Sequence, residues 1–158
     1  MISVRIGSHR FHYRAAAVVR ESGHLLLHRL DGDGFWALPG GRVNGGEQAQ
    51  EAVKREFIEE LNLPVECGPL ICIGENFFEY EGDPHHEIGL YFAAKLQDGS
   101  ALLDQSRVHF GVETGRRLVF KWFPFIELPN IDMRPVALQA AISRGNIPLH
   151  FVQSSNAA

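Results

Sequence analysis

Cysteine is scarce in this chain: only Cys67 and Cys72 occur among 158 residues, spaced C-x4-C with no second pair. That arrangement matches neither a zinc ribbon nor a redox C-x-x-C, and it excludes a disulfide framework. Both thiols read as reduced core or strand residues. Long apolar runs are missing as well. Met1 to Arg10 lacks the ~7 to 15 consecutive apolar residues of a secretory leader, and no segment approaches the ~20 of a membrane span. A cytoplasmic location without a membrane partner is the expectation. Basic charge is not in excess either, since 15 Lys and Arg face 19 Asp and Glu for a net charge of −4 with the histidines neutral. A large nucleic acid is therefore not an expected partner, because no broad positive field is present to meet a phosphate backbone. An anionic small molecule would need metal ions or a few placed Arg and Lys to neutralise it. Internal repeats, low-complexity tracts and long charge runs are likewise absent.

The chain is 45% hydrophobic and 22% charged, so residues 1–158 read as one soluble domain able to build a core without staples. Tyr13 to Arg20 and Leu25 to Leu30 read as strands joined by Glu21-Ser22-Gly23-His24, which predicts a hairpin. Gln48 to Leu61 has neither Pro nor Gly and ends at Asn62, a residue that tolerates the left-handed cap, which predicts a helix. Leu70 to Ile73, Asn76 to Tyr80 and Ile88 to Leu96 read as strands, with a turn at Glu81-Gly82-Asp83-Pro84 and a loop over Gln97 to Ser106. Arg117 to Phe123 reads as a further strand, and Pro135 opens a second helix running to Arg144 before Gly145. Strands flanking two separated helices predict an α+β fold in which a mixed sheet is covered on both faces.

The chemistry is concentrated between Trp36 and Leu63. Leu38-Pro39-Gly40-Gly41 leads through Arg42-Val43-Asn44-Gly45-Gly46 to the first helix, and so many glycines mark a backbone that turns sharply or approaches something closely. At about 100° per residue, Glu56, Glu59 and Glu60 project within an arc of roughly 100°. Ala49, Ala52 and Val53 point the same way one or two turns earlier, so this arc is not simply the solvent side of the helix; Phe57, Ile58 and Leu61 make the adjoining apolar stripe. Carboxylates ~6 Å apart at an effective dielectric near 20 repel by about 3 kcal/mol per pair. Arg55 reaches Glu51 or Glu59 at i±4 but cannot offset three convergent carboxylates. A hard divalent ion can: Mg²⁺ takes oxygen ligands and binds through one or two carboxylates together with substrate phosphates. The competing reading is a solvated acidic face with Arg and Lys partners.

These residues resemble a family. Gly41, five residues, Glu47, seven residues, Arg55-Glu56-Phe57, Ile58, Glu59-Glu60 and Leu61-Asn62-Leu63 are similar to the Nudix box of the MutT-type hydrolases, with Asn62 where the family usually has Gly. The resemblance covers 23 positions, with weaker likeness in Lys121-Trp122-Phe123-Pro124 and Leu128. It implies a Nudix-like α/β/α sandwich. It implies metal ligation by Glu56, Glu59 and Glu60 with a carbonyl of Gly40 or Gly41, for Mg²⁺ with Mn²⁺ as an alternative. Arg55 and Glu47 then hold loop and helix together as an ion pair, and Glu59 or Glu56 doubles as the base. The implied reaction is attack of water on phosphorus in a diphosphate bridge, in a nucleoside diphosphate linked to another moiety. Neither a Ser/His/Asp nor a Cys/His arrangement competes. The alternative within the family is a noncatalytic nucleotide-sensing or regulatory module, although such modules often lose box carboxylates and this chain has lost none. Homodimers are common among small enzymes of the family.

Outside the box, His85-His86-Glu87 sits near the start of a predicted strand, where an imidazole or carboxylate can meet substrate, metal or water. Because some family members take their base from a downstream loop, Glu87 and Glu113 join Glu59 and Glu56 as candidates. Phe77, Phe78 and Tyr80 are expected mainly as core packing, with base stacking as the alternative. Arg107, Arg116 and Arg117 are expected on the surface.

Overall fold

In the computed structural model, which describes residues 1–154, strand β2 (His9–Glu21) turns into β3 (His24–Leu30) through Ser22 and Gly23, both at positive φ (48° and 74°). This is the expected hairpin, closed by the two-residue geometry that suits twisted strands. The two strands pair only at Arg20↔Leu25 and Glu21↔His24 and then diverge. Beyond that point β3 pairs with β8 (Arg116–Pro124), which carries β7 (His109–Glu113) on its outer edge. Strand β2 instead runs parallel to β6 (Asp83–Leu96), which is antiparallel to β5 (Val65–Tyr80), with β9 (His150–Ser154) parallel at the far edge. Two short strands, β1 (Ser3–Ile6) and β4 (Gly40–Arg42), pair with successive parts of β2. The divergence of β2 and β3 opens a wedge, and that wedge becomes the site.

Alternation along β2 assigns the two faces. Ala15, Ala17 and Val19 join the cluster packed by Ala52, Val53 and Phe57 of helix α1 (Ala49–Leu61). Ala16 and Val18 join the cluster packed by Leu138 and Ile142 of helix α2 (Val136–Arg144). The mixed sheet is therefore covered on both faces, as the sequence predicts. Cys67 and Cys72 are free thiols on β5, and Trp122 is a core residue whose indole N–H donates to Leu102 O at 2.8 Å.

Several boundaries differ from expectation. Leu70 to Ile73 and Asn76 to Tyr80 lie in one continuous strand, β5. Its turn to β6 is only Glu81-Gly82 at φ 52° and 83°, so Asp83 and Pro84 belong to β6. The loop over Gln97 to Ser106 contains a 3-10 turn at Ala101–Leu103. Ile58 is 48% exposed and not part of the buried stripe. The short strands β1, β4, β7 and β9 carry no sequence signal; β4 reads Gly-Gly-Arg. Its first glycine is required, because a Cβ on Gly40 would lie 2.1 Å from the Ala15 carbonyl oxygen.

Helix α1 ends as expected. Asn62 takes the left-handed conformation at φ 54° and ψ 35°, and its N–H donates to Ile58 O at 2.9 Å. Glycine adopts this conformation with less strain. Asn62→Gly is expected to stabilise the fold by up to about 1 kcal/mol in denaturant unfolding, the order of the left-handed penalty it relieves; an equal or lower midpoint would show that the Asn side chain contributes more than its backbone strain costs.

Candidate active site

Arg55 organises the loop and helix. Its Nε and Nη2 donate to Glu47 Oε1 and Oε2 at 2.7 and 3.1 Å, a bidentate pair, and Nη2 also donates to the Arg42 carbonyl at 3.0 Å. Glu47 Oε2 in turn accepts from Asn44 N–H at 2.8 Å. The other terminal nitrogen, Nη1, donates to Glu56 Oε1 at 2.7 Å and Glu59 Oε2 at 3.1 Å. A planar guanidinium satisfies all these acceptors at once, which an ammonium cannot.

The three helix carboxylates are not equivalent. Glu56 and Glu60 are buried, whereas the Glu59 side chain is 57% exposed and held at the rim by Arg55. Glu60 lies under strand β7: a Cβ on Gly111 would sit 2.6 Å from the Glu60 carbonyl oxygen. The Glu60 carboxyl is pushed up to about 9, first by burial and then by the Glu56 and Glu113 carboxylates. Its Oε1 is buried without a hydrogen-bond partner. His28 Nδ1 stands 3.8 Å from Glu60 Oε2, and burial lowers that imidazole to about 3, so the contact is no ion pair. Gly41 lets the Glu56 carboxylate lie against the loop backbone, since a Cβ there would come within 2.3 Å of it. Among the described residues no group of three or more His, Cys, Asp or Glu side chains stands ready as a metal cluster.

Glu56, Glu59, Glu60, Gly40, Gly41 and Arg55 line one end of a cavity of about 780 Å³ in the wedge between the strands. Glu87 and Glu113 line the same cavity, so the structure brings both distant candidates to the box. Burial raises Glu87 above the ordinary carboxylate range, partly offset by Arg14 and Arg42. His85 also lines the cavity, hydrogen-bonded to His12 at 2.6 Å, whereas His86 stacks on Phe77 at 4.4 Å away from it. Phe78 and Tyr80 line the cavity and Phe77 does not; none of the three is fully buried, so they are not the core residues expected. Arg107, Arg116 and Arg117 are exposed and face Asp104, Asp33 and Asp31.

Beyond His85 and Glu87, the sheet wall of the cavity has no signature in the sequence. Register across β5, β6 and β2 places Asn76 beside Glu87 and Glu87 beside His12, with Gly74, Gly89 and Arg14 one step along. Alternation marks each of these as one face of its strand, but nothing local says which strands are neighbours.

Comparison with known proteins agrees with this architecture. The NUDIX domain model matches residues 10–141, and the chain belongs to that family. A Bacillus subtilis (strain 168) protein, provisionally named an 8-oxo-dGTP diphosphatase, is 33% identical over 98 residues, covering 62% of this chain and 50% of that protein. A Streptomyces ambofaciens MutT-like protein is 40% identical over 62 residues, covering 39% of this chain and 40% of that protein. The chain thus spans about half the length or less of these relatives. The crystal structure of a MutT NUDIX hydrolase from Burkholderia pseudomallei superposes with a TM-score of 0.60 at 23% identity, covering 87% of this chain and 98% of the other. That likeness establishes the α/β/α Nudix fold. Hydrolases of this family generally use divalent metals. No helix among the described residues is long and apolar enough to cross a membrane.

The raised carboxyl of Glu60 has a sign. Its proton is favoured in the folded state, while the unfolded chain releases it near the ordinary 4.5. The stability this contributes is fully present below pH 4.5 and is lost as pH rises towards about 9. Thermal unfolding in chelator is therefore expected to show a melting temperature falling across that window in wild type and a flatter profile in Glu60→Gln, which is neutral throughout; identical slopes would contradict this.

Proposed function

We propose that the protein is a metal-dependent hydrolase that cleaves a diphosphate bond in a nucleoside diphosphate linked to another moiety, by attack of water at phosphorus. The observation that carries this reading is the pairing of two buried helix carboxylates, one with an unpartnered oxygen, at the end of a cavity large enough for a nucleotide. Hard oxygen donors against a glycine backbone suit Mg²⁺, with Mn²⁺ as substitute. Glu56 and Glu60 would hold the ion, joined by Glu59 and by a carbonyl of Gly40 or Gly41. Such an ion lowers the pKa of water and neutralises charge on the leaving phosphate.

The protein's own part is positioning and proton handling. Arg55 and Glu47 fix the helix against the loop, which holds the helix carrying the box carboxylates beside the cavity. Arg14 and Arg42 supply positive charge on the sheet wall, suited to phosphate oxygens. Glu87, raised by burial and lining the cavity, has the character of a group able to take a proton from water. Glu59, Glu56 and Glu113 line the same cavity as alternative acceptors. Metal coordination and positioning supply most of the barrier lowering in such transfers, and no covalent nucleophile is required.

A panel of nucleoside triphosphates, dinucleoside polyphosphates and nucleotide sugars with Mg²⁺, read by product identity, tests this. Hydrolysis of at least one class is expected, abolished by chelator, with Glu60→Gln reduced on the order of 10²–10³-fold, the several kcal/mol that a Lewis-acid ion contributes. A wild type as inert throughout the panel as Glu60→Gln would favour a noncatalytic nucleotide-sensing module instead, and a Glu60→Gln variant as active as an active wild type would contradict the role of Glu60 in holding the ion.

A further inference from the structure

Asn76 is a buried polar side chain in the cavity wall for which hydrolysis provides no use. It is 5% exposed, its Oδ1 is buried without a partner, and among the described residues no hydrogen bond engages its amide. An unpaired amide in a protein interior is costly, so a group that completes it is favoured. Asn76 borders the cavity, and the two residues that follow it on the same face of β5, Phe78 and Tyr80, border it too.

The surroundings are flat, aromatic and polar without offering Asn76 a partner. Phe78 lies parallel to the His85 ring at 5.0 Å, and Tyr80 stands edge-on to Phe35 at 6.3 Å. His85 Nδ1 is already taken by His12 Nε2 at 2.6 Å, which fixes both rings. Burial lowers His12 to about 4, so that imidazole is neutral near pH 7. Asn76 lies one step beyond the Gly74–Gly89–Arg14 row and two strands from β2. By ordinary strand spacings that is about 12 Å from the backbone of Arg14, a separation suited to a sugar and phosphate between the two ends.

We propose that Asn76 reads the edge of the substrate's nucleobase, its Oδ1 accepting from a ring N–H or amino group and its Nδ2 donating to the adjacent ring acceptor. That the ligand is a nucleotide rests on the hydrolytic reading above; the assignment of its base to this end of the cavity rests on Asn76 and the rings beside it. A base lacking the complementary donor leaves Oδ1 unpaired, and sites built to pair a substrate group reject analogues that lack it. Asn76 is thus a specificity residue, 95% buried and waiting for a planar ring with a donor and an acceptor side by side.

The test is equilibrium binding without hydrolysis. Nucleoside 5′-monophosphates of the common bases, and ribose 5-phosphate as the baseless control, are titrated calorimetrically into wild type, Asn76→Leu and Asn76→Ala in chelator. Wild type is expected to bind at least one base tenfold or more tighter than ribose 5-phosphate and than the base with the opposite edge. Both variants are expected to lose that preference and bind the favoured nucleotide at least tenfold more weakly, while Asn76→Leu melts no lower than wild type. A wild type that does not distinguish base from no base, or variants that keep its preference, would overturn the assignment. Hydrolysis is scored separately on the same proteins. An inert protein that still discriminates through Asn76 refutes the hydrolase and not the subsite, and an active hydrolase with unchanged discrimination in the variants does the reverse.

Discussion

The site depends on one guanidinium. Arg55 ties Glu47, in the loop before α1, to Glu56 and Glu59 on the helix, and reaches the Arg42 carbonyl at the end of β4. The loop, the helix and the short strand are thereby locked into one unit around a planar cation. An eight-residue separation between Glu47 and Arg55 is what lets a residue ahead of the helix meet one in its second turn. The same cation holds one oxygen of Glu56 and one of Glu59, so it restrains repulsion within the acidic arc.

Small residues make room for this charge. Gly41 admits the Glu56 carboxylate against the loop, Gly111 admits the Glu60 backbone against β7, and Gly40 lets β4 lie on β2. The Ala15-Ala16-Ala17 run lets both faces of β2 be covered closely. Burial then acts in opposite senses on the two families of polar groups: it raises Glu60 and Glu87 and lowers His12 and His28. Ionisation of Glu60 is accordingly coupled to what enters the cavity, and His12 and His28 serve as neutral hydrogen-bonding surface.

Much of this is local and was legible in the sequence. The hairpin turn at Ser22-Gly23, the helix with its Asn62 cap, and the box spacing from Gly41 to Leu63 depend on residues near one another in the chain. What was not legible depends on pairing between distant segments. Glu56, Glu59 and Glu60 share an arc by helical geometry, yet only the packing shows that Glu59 stays at the rim while Glu60 is sealed under β7. Ile58 belongs to the helix's apolar composition but not to its buried face. Asn76, Glu87 and His12 lie in three strands spread over 76 positions, and their alignment follows from a parallel β2–β6 pairing that no local pattern announces. Glu87 and Glu113 were named as candidates for a base; that both face the same cavity as the box is a property of the wedge between β2 and β3.

The most direct test of the central claim, that the box carboxylates gather a hard divalent ion at the head of the cavity, is anomalous diffraction from crystals grown with Mn²⁺. The account predicts a peak about 2 Å from oxygens of Glu56 and Glu60, beside Gly40 and Gly41, with Glu59 drawn off Arg55. A cavity without a peak at saturating Mn²⁺, or a peak held only by residues away from the helix, would contradict it.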